Sequence, residues 1–304
     1  MGNILRVESI SLLHEIFGYD KPKHPLISLI DLTHISPVSK YQHMQVVTGL
    51  YTISLKNGIN CDVKYGRQYY DFDEGSLVFM APGQVTMVEY GSYDKVITDG
   101  KENWMLCFHP DLIRKSKLGS KINEYSFFSY DVNEALHLSE YEKNIVTSIV
   151  RSIEHEYCQN IDVYSQDVII SNIELLLNHC NRFYGRQFIT RSTINKDVVS
   201  QFETLIRNQI DLECLEEKGI PSVKSLAHEL GYSPNYLSDL LKKETGKNVQ
   251  EHIQLHLVEK AKTLLLNTSE PVYQISYRLG FEYPSHFSKF FKAQTGMSPV
   301  SFRK

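Results

Sequence analysis

Residues 231–246 read GYSPNYLSDLLKKETG, and residues 280–296 read GFEYPSHFSKFFKAQTG. A chain that writes one pattern twice in register must fold it twice into one shape, and that constrains it more than any bulk property. Ahead of the first stretch, Val223, Leu226, Ala227 and Leu230 sit at i, i+3, i+4 and i+7, the inward face of a short helix. Val272, Ile275, Ser276 and Leu279 repeat that spacing before the second stretch. Each helix stops at Leu-Gly followed by an aromatic residue, Gly231-Tyr232 and Gly280-Phe281, where glycine takes the left-handed turn. Ser233 is a good N-cap, and Pro234 and Pro284 each suit the first position of a second helix; the second copy has one extra turn residue. Leu237, Leu240 and Leu241 point inward in one copy, as do Phe287, Phe290 and Phe291 in the other. The outward sets are Asn235, Tyr236, Ser238, Asp239, Lys242 and Lys243, and Ser285, His286, Ser288, Lys289 and Lys292. Both second helices end at Thr-Gly.

Helix, glycine turn and a second helix with a polar outer face is the layout of a helix-turn-helix unit. Short polar side chains near the start of such a helix reach base edges in the major groove, while lysines farther along meet phosphate. Charge is distributed accordingly. The whole chain carries −4, but from Gly219 onward eleven Lys/Arg face seven Asp/Glu, a balance of +4 that leaves −8 for the preceding part. Between the copies, Val249, Ile253, Leu257, Ala261 and Leu264 form one helical stripe. A connector of ~18 residues is ~27 Å long, comparable with the ~34 Å between successive major grooves on one side of a duplex. The expectation is a tail that lays two recognition helices into adjacent grooves.

The front of the chain reads differently. Tyr51, Ile53 and Leu55 alternate in LYTISL, Cys61, Val63 and Tyr65 in CDVKY, and Trp104, Leu106 and Phe108 in NWMLCF. DEGSLVFMAPGQVTMVEY gives two apolar runs around a Pro82-Gly83 turn, so a small sandwich or barrel over about 26–110 is expected. From Ser139 the period becomes helical. Ser139 and Glu142 form a capping box, followed by Ile145, Val146, Ile149, Val150 and Ile153. A second helix carries Val168, Ile169, Ile173, Leu176, Leu177 and Cys180, and these helices, about 139–184, bury their stripes on the barrel or on a second copy. The polar, basic stretch 186–196 is the expected linker between a front domain at 1–185 and an all-helical domain at 197–304. The cysteines (Cys61, Cys107, Cys158, Cys180 and Cys214) are odd in number and lack metal or redox spacing. With no bilayer-length apolar run and no secretory signal at the start, a cytoplasmic location without membrane contact is expected.

The tail closely resembles the DNA-binding domain of the AraC family of transcription regulators, over roughly residues 197–304. LGFEYPSHFSKFFKAQTGMSPVSFRK follows that family's second-unit signature through Gly280, Phe281, Phe287, Phe291, Lys292, Gly296, Pro299 and Arg303. VEKAKTLLLNT looks like its connecting helix, with Leu257 standing where many members carry arginine. The resemblance implies an α+β protein: a cupin-like β-barrel that senses a small molecule, dimerisation helices, then two helix-turn-helix units joined by a long helix. GSLVFMAPGQVTMVEY is similar to a strand-turn-strand of those barrels. It further implies a homodimeric, effector-responsive activator that binds double-stranded DNA and meets RNA polymerase. By position it points to Ser233, Asn235, Tyr236, Ser238, Asp239, Lys242 and Lys243 as the main DNA-binding set, with Ser285, His286, Lys289 and Lys292 as the second.

Two other readings compete. A metal-dependent cupin enzyme with an accessory tail needs converging His and carboxylate ligands, yet His24, His34, His43 and His109 are isolated in sequence and the metal-cupin His-x-His pattern is absent. No catalytic, metal or cofactor site is therefore expected. A scaffold whose tail binds protein is the third reading. The aromatics Tyr51, Tyr65, Tyr69, Tyr70, Phe72, Phe79 and Trp104 line an effector pocket or fill the barrel core, core being favoured for each.

Overall fold

The computed structural model describes residues 4–34, 41, 45–57, 75–87, 102–131, 134–159, 162–190 and 192–303. The chain divides into two compact units, Met1–Ile189 and Thr190–Lys304. Strands and helices mix in the first; every regular element described in the second is a helix.

In the first unit, β1 (Ile4–Val7), β3 (Gln45–Thr48) and β6 (Val85–Met87) form a three-stranded sheet in the order β1-β3-β6. A five-stranded antiparallel sheet joins β2 (Ile27–Asp31), β7 (Trp104–Phe108), β4 (Tyr51–Lys56), β5 (Ser76–Met80) and β8 (Leu136–His137), in that order. Its register sets Ile53 opposite both Leu106 and Phe79, and Leu55 opposite Trp104 and Leu77, so the expected alternating residues share one face. That face is covered by α4 (Glu140–Cys158) and α5 (Ser165–Thr190): Trp104 Nε1 donates to Thr147 Oγ1 at 3.2 Å, and the Phe79 ring lies 6.1 Å from Tyr184. The opposite face is also covered. Ile30 and Cys107 pack with Ile10, Leu13 and Ile16 of α1 (Ile10–Phe17), a helix that the strand patterns did not announce. Burial on both faces explains why Thr52 and Ser54, between the apolar residues of β4, are themselves buried. Two short helices, α2 (Pro110–Ile113) and α3 (Lys117–Lys121), lead on towards β8.

The Ser139–Glu142 capping box is formed, and Glu142 is used twice. Arg186 of α5 donates from Nε to Glu142 Oε1 at 2.7 Å and from Nη2 to Oε2 at 2.9 Å, with a further bond from Nη2 to His137 O. Ile149, Ile153, Leu176 and Leu177, stripes offered above to the barrel or to a second copy, are buried within this unit. The apolar residues left exposed on α5 are Val168, the first of that expected stripe, with Leu175 and Ile189. Both borders of the larger sheet are closed by side chains. The Tyr157 hydroxyl accepts from Leu29 N at 2.9 Å on β2, while the Gln187 amide takes His137 N at 2.8 Å and donates to Ala135 O at 3.2 Å beside β8. These groups occupy backbone positions that would otherwise invite another strand.

The expected strand around Cys61, and Tyr65, Tyr69, Tyr70, Phe72 and His43, lie outside the described residues. Phe79 and Trp104 are core residues, 4% and 1% exposed. Cys107 and Cys180 are fully buried, and burial pushes both thiols up. The stretch 186–196 is helical on either side of residue 191: α5 runs to Thr190 and α6 (Ser192–Gln209) begins two residues later, with the division between units at Ile189/Thr190.

The second unit runs α6, α7 (Leu212–Lys218), α8 (Val223–Leu230), α9 (Pro234–Thr245), α10 (Val249–Asn267), α11 (Val272–Arg278), α12 (Pro284–Thr295) and α13 (Pro299–Arg303). Phe202 and Ile206 of α6 are completely buried, as are Val249, Ile253 and Ala261 of α10. Asn248 and Glu251 form a capping box that starts α10 sharply. Among the described residues, no helix is long and apolar enough to cross a membrane.

Candidate nucleic-acid interface

The two repeats fold as helix, turn and helix: α8 to α9, and α11 to α12. Both first helices end alike. Tyr232 N reaches Ala227 O and Gly231 N reaches His228 O; Phe281 N and Gly280 N make the matching bonds to Ser276 O and Tyr277 O. This paired closure needs a left-handed residue, and Gly231 and Gly280 have φ of 77° and 78°. Both second helices stop at a left-handed glycine, with Gly246 N on Lys242 O and Gly296 N on Lys292 O.

Leu237, Leu240 and Leu241 are buried under α9, and Phe287 and Phe291 under α12, each at 1% exposure or less. On the outer side of α9, Asn235, Lys242 and Lys243 are exposed and Ser238 and Asp239 half-buried. On α12, Ser285, His286, Lys289 and Lys292 are all exposed. Most of the expected set therefore shares the solvent-facing side of its helix. Two members do not. Ser233 is 3% exposed and its hydroxyl accepts from Tyr236 N at 3.3 Å, so it serves as the cap of α9. Tyr236, expected to point outward, is 4% exposed and its ring stacks on Tyr232 at 5.5 Å.

The helical period accounts for that correction, since Tyr236 stands four residues before buried Leu240 and shares its face. Its counterpart on α12, fifty positions on, is His286, which is exposed. The second copy, with its extra turn residue, pairs its aromatics differently. Phe281 packs on Phe287 and Phe290, at 5.4 Å from each, while Tyr283 meets His286 edge-on at 5.3 Å.

Three long-range features had no local signal in the sequence. Arg278, closing α11, donates to Glu270 at 2.5 Å and to Glu216 of α7 at 2.9 Å, bonds that raise the guanidinium pKa. These three groups, with Gln274 and Tyr277, line an open cavity of about 630 Å³. His252 of α10 is 8% exposed; its Nε2 lies 2.8 Å from Thr245 Oγ1 at the end of α9, and its ring meets Phe202 edge-on at 5.3 Å. Burial, then His256 and Lys247, lower its pKa against the opposing pull of Glu203 and Glu251. Thirdly, a methyl group on Gly280 would stand 3.0 Å from Ile220 N and 3.1 Å from Gly219, just ahead of α8, whereas one on Gly231 would meet nothing within 4 Å.

Among the described residues no group of three or more His, Cys, Asp or Glu is gathered to hold a metal. His24 and His109 each accept a nearby backbone N–H, from Leu26 and Asp111.

Residues 226–304 match the family described as helix-turn-helix domain. An HTH-type transcriptional regulator of Bacillus subtilis, YobQ, is 38% identical over 82 residues, 27% of this chain and 34% of its own length. The arabinose operon regulatory protein of Escherichia coli is 33% identical over 81 residues, 27% of this chain and 28% of its own. A longer match, 24% identical over 76% of this chain and 77% of the relative, is to the E. coli HTH-type transcriptional regulator YijO. The chain thus spans about a third or less of two of these relatives and about three quarters of YijO. Among solved structures, the C-terminal domain of the response regulator yesN from Fusobacterium nucleatum is 28% identical, covering 36% of this chain and 99% of that one at a TM-score of 0.32. Through its C-terminal unit, the chain is similar to helix-turn-helix transcriptional regulators, the arabinose operon regulatory protein among them.

Proposed function

We propose that this chain is a sequence-specific DNA-binding transcriptional regulator whose helices α9 and α12 enter adjacent major grooves of double-stranded DNA. The observation that carries the reading is the repeated contrast between a buried inner face and a polar, lysine-bearing outer face on both helices, Phe290 of the expected inner set being half-buried. A helix so presented fits the major groove, and its leading residues meet base edges. α10 has 19 residues, about 28 Å of helix at ~1.5 Å per residue, a length compatible with neighbouring grooves. Asn235 is assigned to base edges, and Lys242, Lys243, Lys289 and Lys292 to phosphates. The reading gives the chain no catalytic role.

The β-rich first unit is proposed as the cupin-like sensor of a small-molecule effector, supported by its two sheets and by the Pro82-Gly83 turn that carries the chain from β5 in one to β6 in the other. Homodimerisation is proposed along α5, where Val168, Leu175, Arg182 and Ile189 recur every seven residues on an exposed line. Activation through contact with RNA polymerase completes the proposal.

Footprinting against genomic fragments tests it. The parent protein protects discrete sites; Asn235→Ala relaxes their sequence, and Lys242→Ala weakens binding to every sequence, lowering the salt slope by about one ion. Parent protein that protects no discrete site would end the reading. For the dimer, Leu175→Glu turns a sedimenting dimer into a monomer; a parent chain that is monomeric removes that part.

A further inference from the structure

The two recognition helices can be compared position by position, because each has twelve residues, begins with proline and ends at threonine before a left-handed glycine. Asn235 matches Ser285, Ser238 matches Ser288 and Lys242 matches Lys292, all conservative in size or charge. At the sixth position the charge reverses: Asp239 in α9, Lys289 in α12. Both lie on the outer side of their helices, Asp239 half-buried and Lys289 exposed. Asp239 falls one turn after Asn235 and one turn before Lys242 and Lys243, so it shares the surface assigned to DNA.

On DNA, a carboxylate there faces either a phosphate or a base edge. Against phosphate it only repels. Against a base edge it needs an amino donor, which the major groove offers on cytosine N4 and adenine N6; an adenine also presents its N7 acceptor, whose lone pair a second carboxylate oxygen would oppose. Cytosine is therefore the better match. Lysine at the same register has only donors, and suits guanine O6 and N7 or a phosphate. Building on the DNA-binding reading, we infer that Asp239 specifies a cytosine through its N4 amino group, and that the two half-sites consequently differ in sequence although the helices reading them are copies. Lys242 and Lys243 keep the surface cationic around the carboxylate.

Selection from randomised duplexes with the full chain tests this, using the parent, Asp239→Asn and Asp239→Ser. The parent enriches one C·G pair in one half-site only. Asp239→Ser flattens the preference at that pair, cutting discrimination by about 5- to 150-fold, the range of one good base-edge contact. Asp239→Asn moves it towards adenine, which the amide matches through N6 and N7. The inference is overturned if both variants tighten binding to all sequences and leave base preferences unchanged, as a phosphate-facing carboxylate would. It is also overturned if the parent prefers adenine at the affected pair, or if both half-sites come out alike. If the parent enriches no sequence at all, it is the DNA-binding proposal beneath that falls.

Discussion

The second unit contains its own control experiment: two copies of one supersecondary pattern, held together by different means. In the first copy, side chains cap both helices. Ser222 and Ser225 form a reciprocal box at α8, and Ser233 caps α9. In the second, neither Pro271 nor Tyr283 makes a side-chain cap. Other interactions hold that copy: the Arg278 pairs to Glu270 and Glu216, and a fit around Gly280 that leaves no room for a methyl group. The difference teaches that a shared apolar pattern fixes the shape of a unit, while what fastens it is left to the surrounding residues. The same outline is locally fastened in one instance and remotely fastened in the other.

The largest expected effect separates the two glycines. Gly231→Ala costs about 1–2 kcal/mol for a left-handed alanine, whereas Gly280→Ala adds ~1–3 kcal/mol for the crowding against Gly219 and Ile220. Urea unfolding followed by far-ultraviolet circular dichroism measures both; equal losses would show that the close approach is not restrictive. Next, Ser233→Ala should cost about 1 kcal/mol through its lost cap, and Tyr283→Ser should gain ~0.5 kcal/mol or more by supplying α12 with one. Stabilisation by the second change and loss by the first would confirm that the copies differ in capping. Arg278→Gln should cost about 1 kcal/mol, an effect shrinking at high salt because the guanidinium is partly exposed.

The smallest effect at neutral pH concerns His252. Its folded pKa is held below the ordinary histidine value, so the unfolded chain binds the proton more readily. Stability from the neutral ring is complete above the unfolded value, near ~6.5, and declines as pH falls below it. The corresponding residue in the second copy is Phe302, ring-to-edge with Phe291 at 5.3 Å. Amide exchange at pH 5.5 and 7.5 should therefore show α9 losing protection before α12, with His252→Phe removing the difference. Simultaneous loss in the parent protein would dissolve that contrast.

Much of this unit was legible from periodicity, because α8, α9, α11 and α12 each announce an inner face and a glycine stop. Tyr236 was misplaced since an aromatic beside polar neighbours reads as outward, although its spacing to Leu240 already put it inside. Arg278 with Glu216, and His252 with Thr245, join residues whose pairing only the packed helices create. In the first unit, the alternation in β4 and β7 gave one buried face correctly, but a strand buried on both faces hides its second face behind Thr52 and Ser54. Helix α1 escaped because its short amphipathic run, ahead of the strands of the larger sheet, lacks a strong repeat. The stretch 186–196 has the composition of a linker, yet polar residues are also good helix surface, and α5 and α6 occupy it.

The contact between Gly280 and the Gly219–Ile220 segment reaches beyond stability. The bend inside one copy rests against the backbone that leads into the other, so neither can swing far by itself. Under the proposed two-groove reading, the pair would act as a caliper with a set opening: a duplex carrying an extra base pair between its two halves would have to twist to fit.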